Sequence, residues 1–403
     1  MDLSYGEELE GFREEVREFL GETWPLQGEE AELPNHQQAA LFRGRAITRG
    51  YLCRNIPQKY GGCEQEPDVL KAQIIREEFG RVFAPGEARG IGTMMLVPTL
   101  LERGEEWQKE KWVPETIRGE VQWCQGYSEP DSGSDLASLK TRGELDGNEW
   151  VINGQKIWTS GAQVAQFMFC LVRTEPDASK HAGISYLLID MNQPGIDIRP
   201  LRQMTGTADF NEVFLNDVRT PADWIVGKRG EGWQVSRTTL KHERNSIGAA
   251  SQTRALLAGV IKLAQETTRN GRPAIEDPNV RQGIAKLEGY IRAHQYSGYR
   301  QFTKDAKGES AGIINMMNKL VSTNIGHDVA RLVLDLLGDE GLMGASHDGL
   351  GVLPRSHEAW ISQYMYSLGI AIAGGTANIQ RNVIAERGLG LPRDAAANRS
   401  PVK

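Results

Sequence analysis

The hydrophobic period of this chain changes twice, and that switch limits the folds open to it more than any other feature. Leu9, Phe12, Val16 and Phe19 recur at spacings of three and four, and Val69, Ile74, Ile75 and Phe79 line a second amphipathic segment, so the chain reads as helical to about residue 118. Gly61-Gly62, Pro85-Gly86 and Gly90 interrupt these segments, and Pro98 is expected to bend or end another. Near Val121 short runs take over: Trp150 to Asn153, Phe167 to Arg173, Ile184 to Asp190 and Glu212 to Leu215. Asp146-Gly147, Asn153-Gly154 and Pro194-Gly195 separate them as turns. Strands this close leave no room for crossover helices and predict an antiparallel barrel or sandwich of about 110 residues. After Gly230-Glu231-Gly232 the helical period returns in Ile284, Leu287 and Ile291, in Ile313, Met316, Met317, Leu320 and Val321, and in Val329, Leu332, Val333 and Leu336. The expected organisation is a helical domain over 1–120, a β domain over 121–231, a helical domain over 232–393 and a flexible tail over 394–403.

Composition narrows the function classes. The 403 residues suit two to three domains at roughly 150 residues each. Lys plus Arg is 46 against 53 Asp plus Glu, a net charge of −7, which disfavours a nucleic-acid partner. The acidic start, Met1 to Glu8, does not resemble a signal peptide, and no run approaches 18 apolar residues, so neither export nor a membrane is expected. Cys53, Cys63, Cys124 and Cys170 form no paired framework or metal-binding spacing, which points to structural thiols in a reducing cytoplasm. The 45 glycines exceed the usual share of about 7% without a short repeat, and so serve turns and close backbone contacts.

Most familiar motifs are absent: there is no complete G-x-G-x-x-G, no P-loop and no H-E-x-x-H. Gly308-Glu309-Ser310-Ala311-Gly312 matches the nucleophile elbow in letters only, because Gln301 to Lys307 is polar and lies between helical segments where the elbow needs a strand. Gly126-Tyr127-Ser128-Glu129-Pro130-Asp131-Ser132-Gly133-Ser134-Asp135 gathers hydroxyls, glycines and backbone donors at the start of the β module. That composition belongs either to a polar surface loop or to a grip on phosphate or ring heteroatoms. Asn153 to Gly161 follows with Trp158, Thr159 and Ser160, where the indole serves either as core or as support for a planar cofactor. Glu243 is the least expected residue of the C-terminal helices. Positions 233, 236, 240, 243, 247 and 250 form one stripe, and the sites three and four away hold Thr239, Leu240, Ser246 and Ile247, so no local cation pairs with it. A carboxylate there is either a base strengthened by burial or a partner in a cross-helix pair.

Three ordered motifs carry a resemblance over nearly the whole chain. Gly126 to Asp135 resembles the first signature of the acyl-CoA dehydrogenase family, with Tyr127 where a small aliphatic is usual. Asp335-Leu336-Leu337-Gly338-Asp339-Glu340-Gly341 resembles its Gln-x-x-Gly-Gly element, departing at Asp335 and Asp339. Ala373 to Arg381 resembles its C-terminal flavin element. The resemblance implies an α+β multidomain fold, with an N-terminal helical domain, a central antiparallel β-barrel or sandwich and a C-terminal four-helix bundle. It also implies a noncovalent FAD enzyme that introduces an α,β double bond into an acyl-CoA, giving a trans-2-enoyl-CoA.

By that resemblance Tyr127, Ser128 and Ser134 hold the flavin and its pyrophosphate, Trp158 stacks on the isoalloxazine and Ser160 supplies a hydroxyl near N5. Arg269 reaches the pyrophosphate, Asp335, Gly338 and Asp339 touch FAD of a neighbouring subunit, and Thr376 and Asn378 belong to the flavin element. Ser134, Arg244, Gly374 and Gly375 face substrate. Many members carry the catalytic glutamate at the position of Gly374. A minority, such as isovaleryl-CoA and long-chain acyl-CoA dehydrogenases, carry it in a Leu-x-x-Glu-Arg element, which Leu240 to Arg244 matches, so Glu243 is the expected base. Reduced flavin passes electrons to an electron-transfer flavoprotein. The expected assembly is a homotetramer built as a dimer of dimers, or a heterotetramer with a paralogous subunit. The small residues Ala373, Gly374 and Gly375 suit a branched, cyclic or steroid-derived acyl group. Competing readings on the same fold are an acyl-CoA oxidase, a flavin monooxygenase, or a noncatalytic FAD-holding subunit.

Overall fold

The computed structural model describes residues 6–247, 250–310, 312–346, 354 and 356–392, with the backbone alone at 69, 244–247, 250–252, 302 and 305–306. The expected tail over 394–403 lies outside them. The chain forms two compact units, residues 1–200 with 210–239, and residues 201–209 with 240–403.

The first unit opens with α1 (Glu7–Thr23), α2 (Asn35–Thr48), α3 (Val69–Arg81), α4 (Val97–Arg103) and α5 (Glu106–Arg118). Val16, Phe19 and Leu20 form the buried stripe of α1, and the Phe19 ring meets Tyr51 and Phe42 at 5.1 and 5.9 Å. Two of these helices, α3 and α5, begin where a side chain satisfies free N–H groups of the first turn. The Asp68 carboxylate accepts from Leu70 N and Lys71 N at 3.0 and 2.9 Å, and Glu105 with Gln108 makes a capping box for α5. Pro98 sits where a π-helical turn, Gly92–Leu96, passes directly into α4 with Leu96 and Val97 both helical, so it marks an irregularity within a continuing helix and does not end it.

Seven strands follow: β1 (Trp123–Gly126), β2 (Arg142–Asp146), β3 (Glu149–Ser160), β4 (Phe167–Arg173), β5 (Ile184–Asp190), β6 (Ile196–Leu201) and β7 (Phe210–Pro221). Their order is β1-β4-β2-β3-β7-β6, with β5 also on β4. The sheet is mixed rather than wholly antiparallel: β1 runs parallel to β4, with Trp123 opposite Phe167 and Gly126 opposite Cys170. A parallel pair needs a long connection, and the loop and β2–β3 hairpin between them supply it. The expected turn at Asn153-Gly154 lies instead inside β3, where the register against β7 slips between Ile152 and Gly154 because Asn153 faces two β7 residues, Asn216 and Asp217. Gly154 has φ of +156°, and a Cβ there would lie 2.7 Å from Thr141 Cα. At Gly154 the β3 backbone runs against the loop that precedes β2. Cys124, Ile152, Met168, Cys170, Leu187, Ile189, Val213 and Leu215 fill the core of this module.

The second unit takes up α6 (Gly232–Ile247) at Leu240 and continues through α7 (Ala250–Glu266), the hairpin of β8 (Thr268–Arg269) and β9 (Arg272–Pro273), α8 (Pro278–Ala306), α9 (Ile313–Leu337), α10 (His357–Ile370) and α11 (Ala377–Val383). α7, α8, α9 and α10 pack around Leu257, Val260, Leu287, Ile325, Val329, Val333 and Trp360. Ser310 lies in the loop between α8 and α9, with no strand before it. Among the described residues no helix is long and apolar enough to cross a membrane.

Candidate active site

The signature loop between β1 and β2 is held by an ion pair inside the β module. Lys156 is fully buried, and its ammonium donates to Glu129 Oε1 at 2.8 Å, Leu171 O at 2.8 Å and Tyr127 O at 3.2 Å. The Glu129 carboxylate also accepts from Lys140 N and Thr141 N at 2.6 and 2.9 Å. Burial pushes the Glu129 carboxyl up, but the adjacent Lys156 charge and these donors outweigh it and leave it below its ordinary value. Glu129 and Ser132 close a tight turn by exchanging two backbone hydrogen bonds of 3.2 and 3.0 Å, and Ile157 N donates to Ser128 O at 2.9 Å. The loop and the Trp158 strand are thus one rigid piece. Sequence reading missed this pair, although Lys156 keeps step with buried Trp150 and Ile152 along β3, a parity that signals an inward lysine.

Of the residues expected at a flavin, Ser128 is half-buried, Ser134 is exposed and Ser160 is half-buried at the end of β3. The Tyr127 ring is buried between Phe169 and Tyr186, at 5.9 and 6.2 Å, so at the loop this residue offers its carbonyl, already on Lys156. Gly126 packs against Met168, whose sulfur a Cβ would meet at 2.4 Å. Trp158 has φ of +61°, 59% of its side chain is exposed, and its only ring neighbour among the described residues is Phe210, edge-on at 6.2 Å. A tryptophan in the left-handed region with one open face is an unusual expense for a free surface. Beside it Thr159 Oγ is buried with no hydrogen-bond partner among the described residues, while Asn211 Nδ2 donates to Thr159 O and Gln163 Oε1 at 2.9 and 2.6 Å. An open aromatic plane, an orphaned buried hydroxyl and a rigid donor-rich loop fit a flat heteroaromatic group such as a flavin.

In the second unit, Glu243 lies half-buried on α6. The inward face of this helix is offset by one position from the expected stripe: Val235, Ser236, Thr238 and Thr239 are buried, whereas Trp233 and Leu240 are half-buried. The side chain of Arg244 lies outside the described residues. After α10 the chain turns through Ala371 to Thr376, with Gly374 at φ +61° and Gly375 at +92°. Thr376 Oγ caps α11 by accepting from Ile379 N at 3.3 Å, and Asn378 is exposed and accepts from Arg381 at 3.0 Å. Gln380 is buried and its Nε2 donates to Gly374 O at 3.2 Å. Lys319 of α9, also buried, donates to Gly375 O at 2.7 Å and Ala371 O at 3.3 Å. Neither side chain was foreseen, although Lys319 extends the buried stripe of Ser322, Thr323 and Val329. Glu243 lies within electrostatic reach of Lys319 and favours its charged form.

The remaining expected residues are Asp335, Gly338, Asp339 and Arg269, all in the second unit. Asp335 and Asp339 are exposed around Gly338, whose φ of +55° ends α9. Arg269 is exposed on the β8–β9 hairpin, whose Asn270-Gly271 loop has φ of +53° and +74°, as a two-residue turn of the mirror-image type requires.

The matches to known proteins follow the same order of elements. Residues 6–120, 124–218 and 230–389 match the models of the acyl-CoA dehydrogenase N-terminal, middle and C-terminal domains. The chain is 37% identical to acyl-CoA dehydrogenase IpdE1 of Mycobacterium tuberculosis, covering 96% of this chain and 99% of that one. Among solved structures it is similar to the ChsE4-ChsE5 complex of the same organism, with a TM-score of 0.74 at 27% identity over 98% of this chain and 100% of that one. It is equally similar to the Tcur3481-Tcur3483 steroid ACAD, with a TM-score of 0.74 at 28% identity over 98% and 100%. With all three domain models matched in order and a full-length relative at this identity, the chain belongs to the acyl-CoA dehydrogenase family, oxidoreductases that act on CH–CH donors.

Proposed function

We propose that this protein is an FAD-dependent dehydrogenase of acyl-CoA thioesters in which Glu243 removes the α proton. The observation that carries the reading is a half-buried carboxylate at Glu243 together with a glycine at 374, so the base has one address and the turn another. FAD, when bound, supplies the acceptor for the hydride that leaves Cβ. The chain's own residues do the rest. Ser128 and Ser134 grip the cofactor, Trp158 gives it a plane, Thr159 offers its unused hydroxyl and Ser160 a second one. Arg269 reaches the pyrophosphate, Thr376 and Asn378 belong to the flavin element, and Asp335, Gly338 and Asp339 serve the FAD of a neighbouring subunit. The Glu243 carboxylate forms an O–H bond as the Cα–H bond breaks, and the electron pair moves toward the thioester oxygen. That developing charge needs a donor. Gly374 N–H provides it without placing a second carboxylate against the first, while Arg244 and Gly375 shape the substrate region.

Loss of a proton at Cα and a hydride at Cβ leaves a trans-2-enoyl-CoA. The small residues Ala373, Gly374 and Gly375, and the similarity to a steroid ACAD, support a branched, cyclic or steroid-derived acyl group. The similarity to two-protein complexes supports assembly with a paralogous subunit, the alternative being a homotetramer. An electron-transfer flavoprotein is the acceptor in this reading. The test is to mix the purified flavoprotein anaerobically with a panel of acyl-CoAs and follow loss of flavin absorbance. Ring-bearing thioesters should bleach it faster than butyryl- or octanoyl-CoA, and Glu243→Gln should abolish bleaching. Bleaching at the original rate in that variant refutes the assignment of the base. Rapid reoxidation by air, without an acceptor protein, favours an oxidase instead.

A further inference from the structure

α9 buries a lysine where a bundle helix ordinarily buries an apolar side chain. Lys319 is 1% exposed, and its ammonium is spent on two main-chain carbonyls, Gly375 O at 2.7 Å and Ala371 O at 3.3 Å. A methionine would fill the same volume without desolvating a charge, so packing does not account for the choice. The carbonyls it takes belong to the turn that carries Gly374. Gln380, from the other side, donates to the carbonyls of Gly374 and Gly375 at 3.2 and 3.5 Å. The peptide bearing the Gly374 N–H therefore lies between peptide planes pinned at 371, 374 and 375, with Gly374 and Gly375 in left-handed conformations open to glycine. Burial weakens the charge on Lys319, and the carboxylate of Glu243 is the group that opposes this.

We propose that Lys319 is the positioning residue of the proton-abstraction step: its ammonium holds the Ala371 to Gly375 turn so that Gly374 N–H meets the thioester oxygen. This rests on Glu243 being the base. As the proton passes from Cα to the carboxylate, negative charge leaves Glu243 and gathers on the thioester oxygen. A cation attached to the turn serves the end of that transfer where charge gathers, by fixing the donor that meets the thioester oxygen.

The test separates proton removal from binding. The holoenzyme is incubated in D2O with the 3-thia analogue of an acyl-CoA it turns over. Sulfur replaces the β carbon in this analogue, so the α proton can exchange but no hydride can follow. Exchange is read by NMR and Kd by titration, for the original protein, Lys319→Met and Lys319→Gln. We expect both substitutions to slow exchange at least tenfold while Kd changes less than threefold. Exchange at the original rate in either one, or a loss of affinity that matches the loss of exchange, overturns the proposal. Should the methionine variant fail to fold, the glutamine variant, which keeps a donor but no charge, decides alone. Glu243→Gln is the control: if it exchanges normally the base assignment falls, whereas an inert Glu243→Gln beside a normal Lys319→Met sinks only the role of Lys319.

Discussion

Replacing Glu129 by glutamine should destabilise the first unit more than any change at its surface. The substitution keeps size and shape but removes the one formal counter-charge that Lys156, whose side chain is fully buried, has among the described residues. Breaking a buried pair by removing one partner costs about 3–5 kcal/mol. The Tyr127 and Leu171 carbonyls remain as acceptors for the ammonium, which places the expected loss near the lower end, at about 3 kcal/mol. For a unit of this size that is a fall in Tm of roughly 6–12 °C, taking about 2–4 °C per kcal/mol. Thermal unfolding followed by tryptophan emission is the suitable assay, because every tryptophan except Trp360 precedes Leu240. Lys156→Met alone should be similarly costly, since it strands a buried carboxylate. The double variant should lose clearly less than the sum of the two, with a coupling of about 2 kcal/mol. The loss should also depend on pH. The Glu129 carboxyl is held below its ordinary value, so its stabilisation is present above the unfolded value of about 4.3 and disappears as pH falls through the lower folded value. A Glu129→Gln protein within about 1 kcal/mol of the original at pH 7, or strictly additive singles, would refute the reasoning.

Other consequences can be checked in the same preparations. Trp158→Ala should change the stability of the flavin-free protein by less than about 0.5 kcal/mol, because the indole is mostly exposed, yet should speed flavin release in a fluorescence assay. Gly154→Ala should cost about 2 kcal/mol or more in urea unfolding, since its Cβ would fall 2.5–2.7 Å from Thr141 atoms at a φ of +156°. Burial pushes the Cys53 thiol up to about 12 and the Cys170 thiol to about 11, and raises Cys124 as well. Alkylation of the native protein at pH 8 should therefore modify half-buried Cys63 first and leave those three intact until the chain unfolds, as peptide mapping would reveal.

The sequence alone determined the layout and the reaction class. Helix and strand periods are local properties, and so is the presence of a carboxylate at Glu243 and its absence at Gly374. The parallel pairing of β1 with β4, the inward Tyr127 ring and the one-position offset of the α6 face were decided by what packs against each element, which no short spacing encodes. The same holds for the two buried lysines. Lys156 finds Glu129 across 27 residues and Lys319 finds the Gly375 carbonyl across 56, so strand parity and helical stripe mark each lysine as buried without naming its partner. A buried ammonium must be satisfied somewhere, and only the tertiary structure decides that one of them holds the signature loop and the other holds the turn of Gly374.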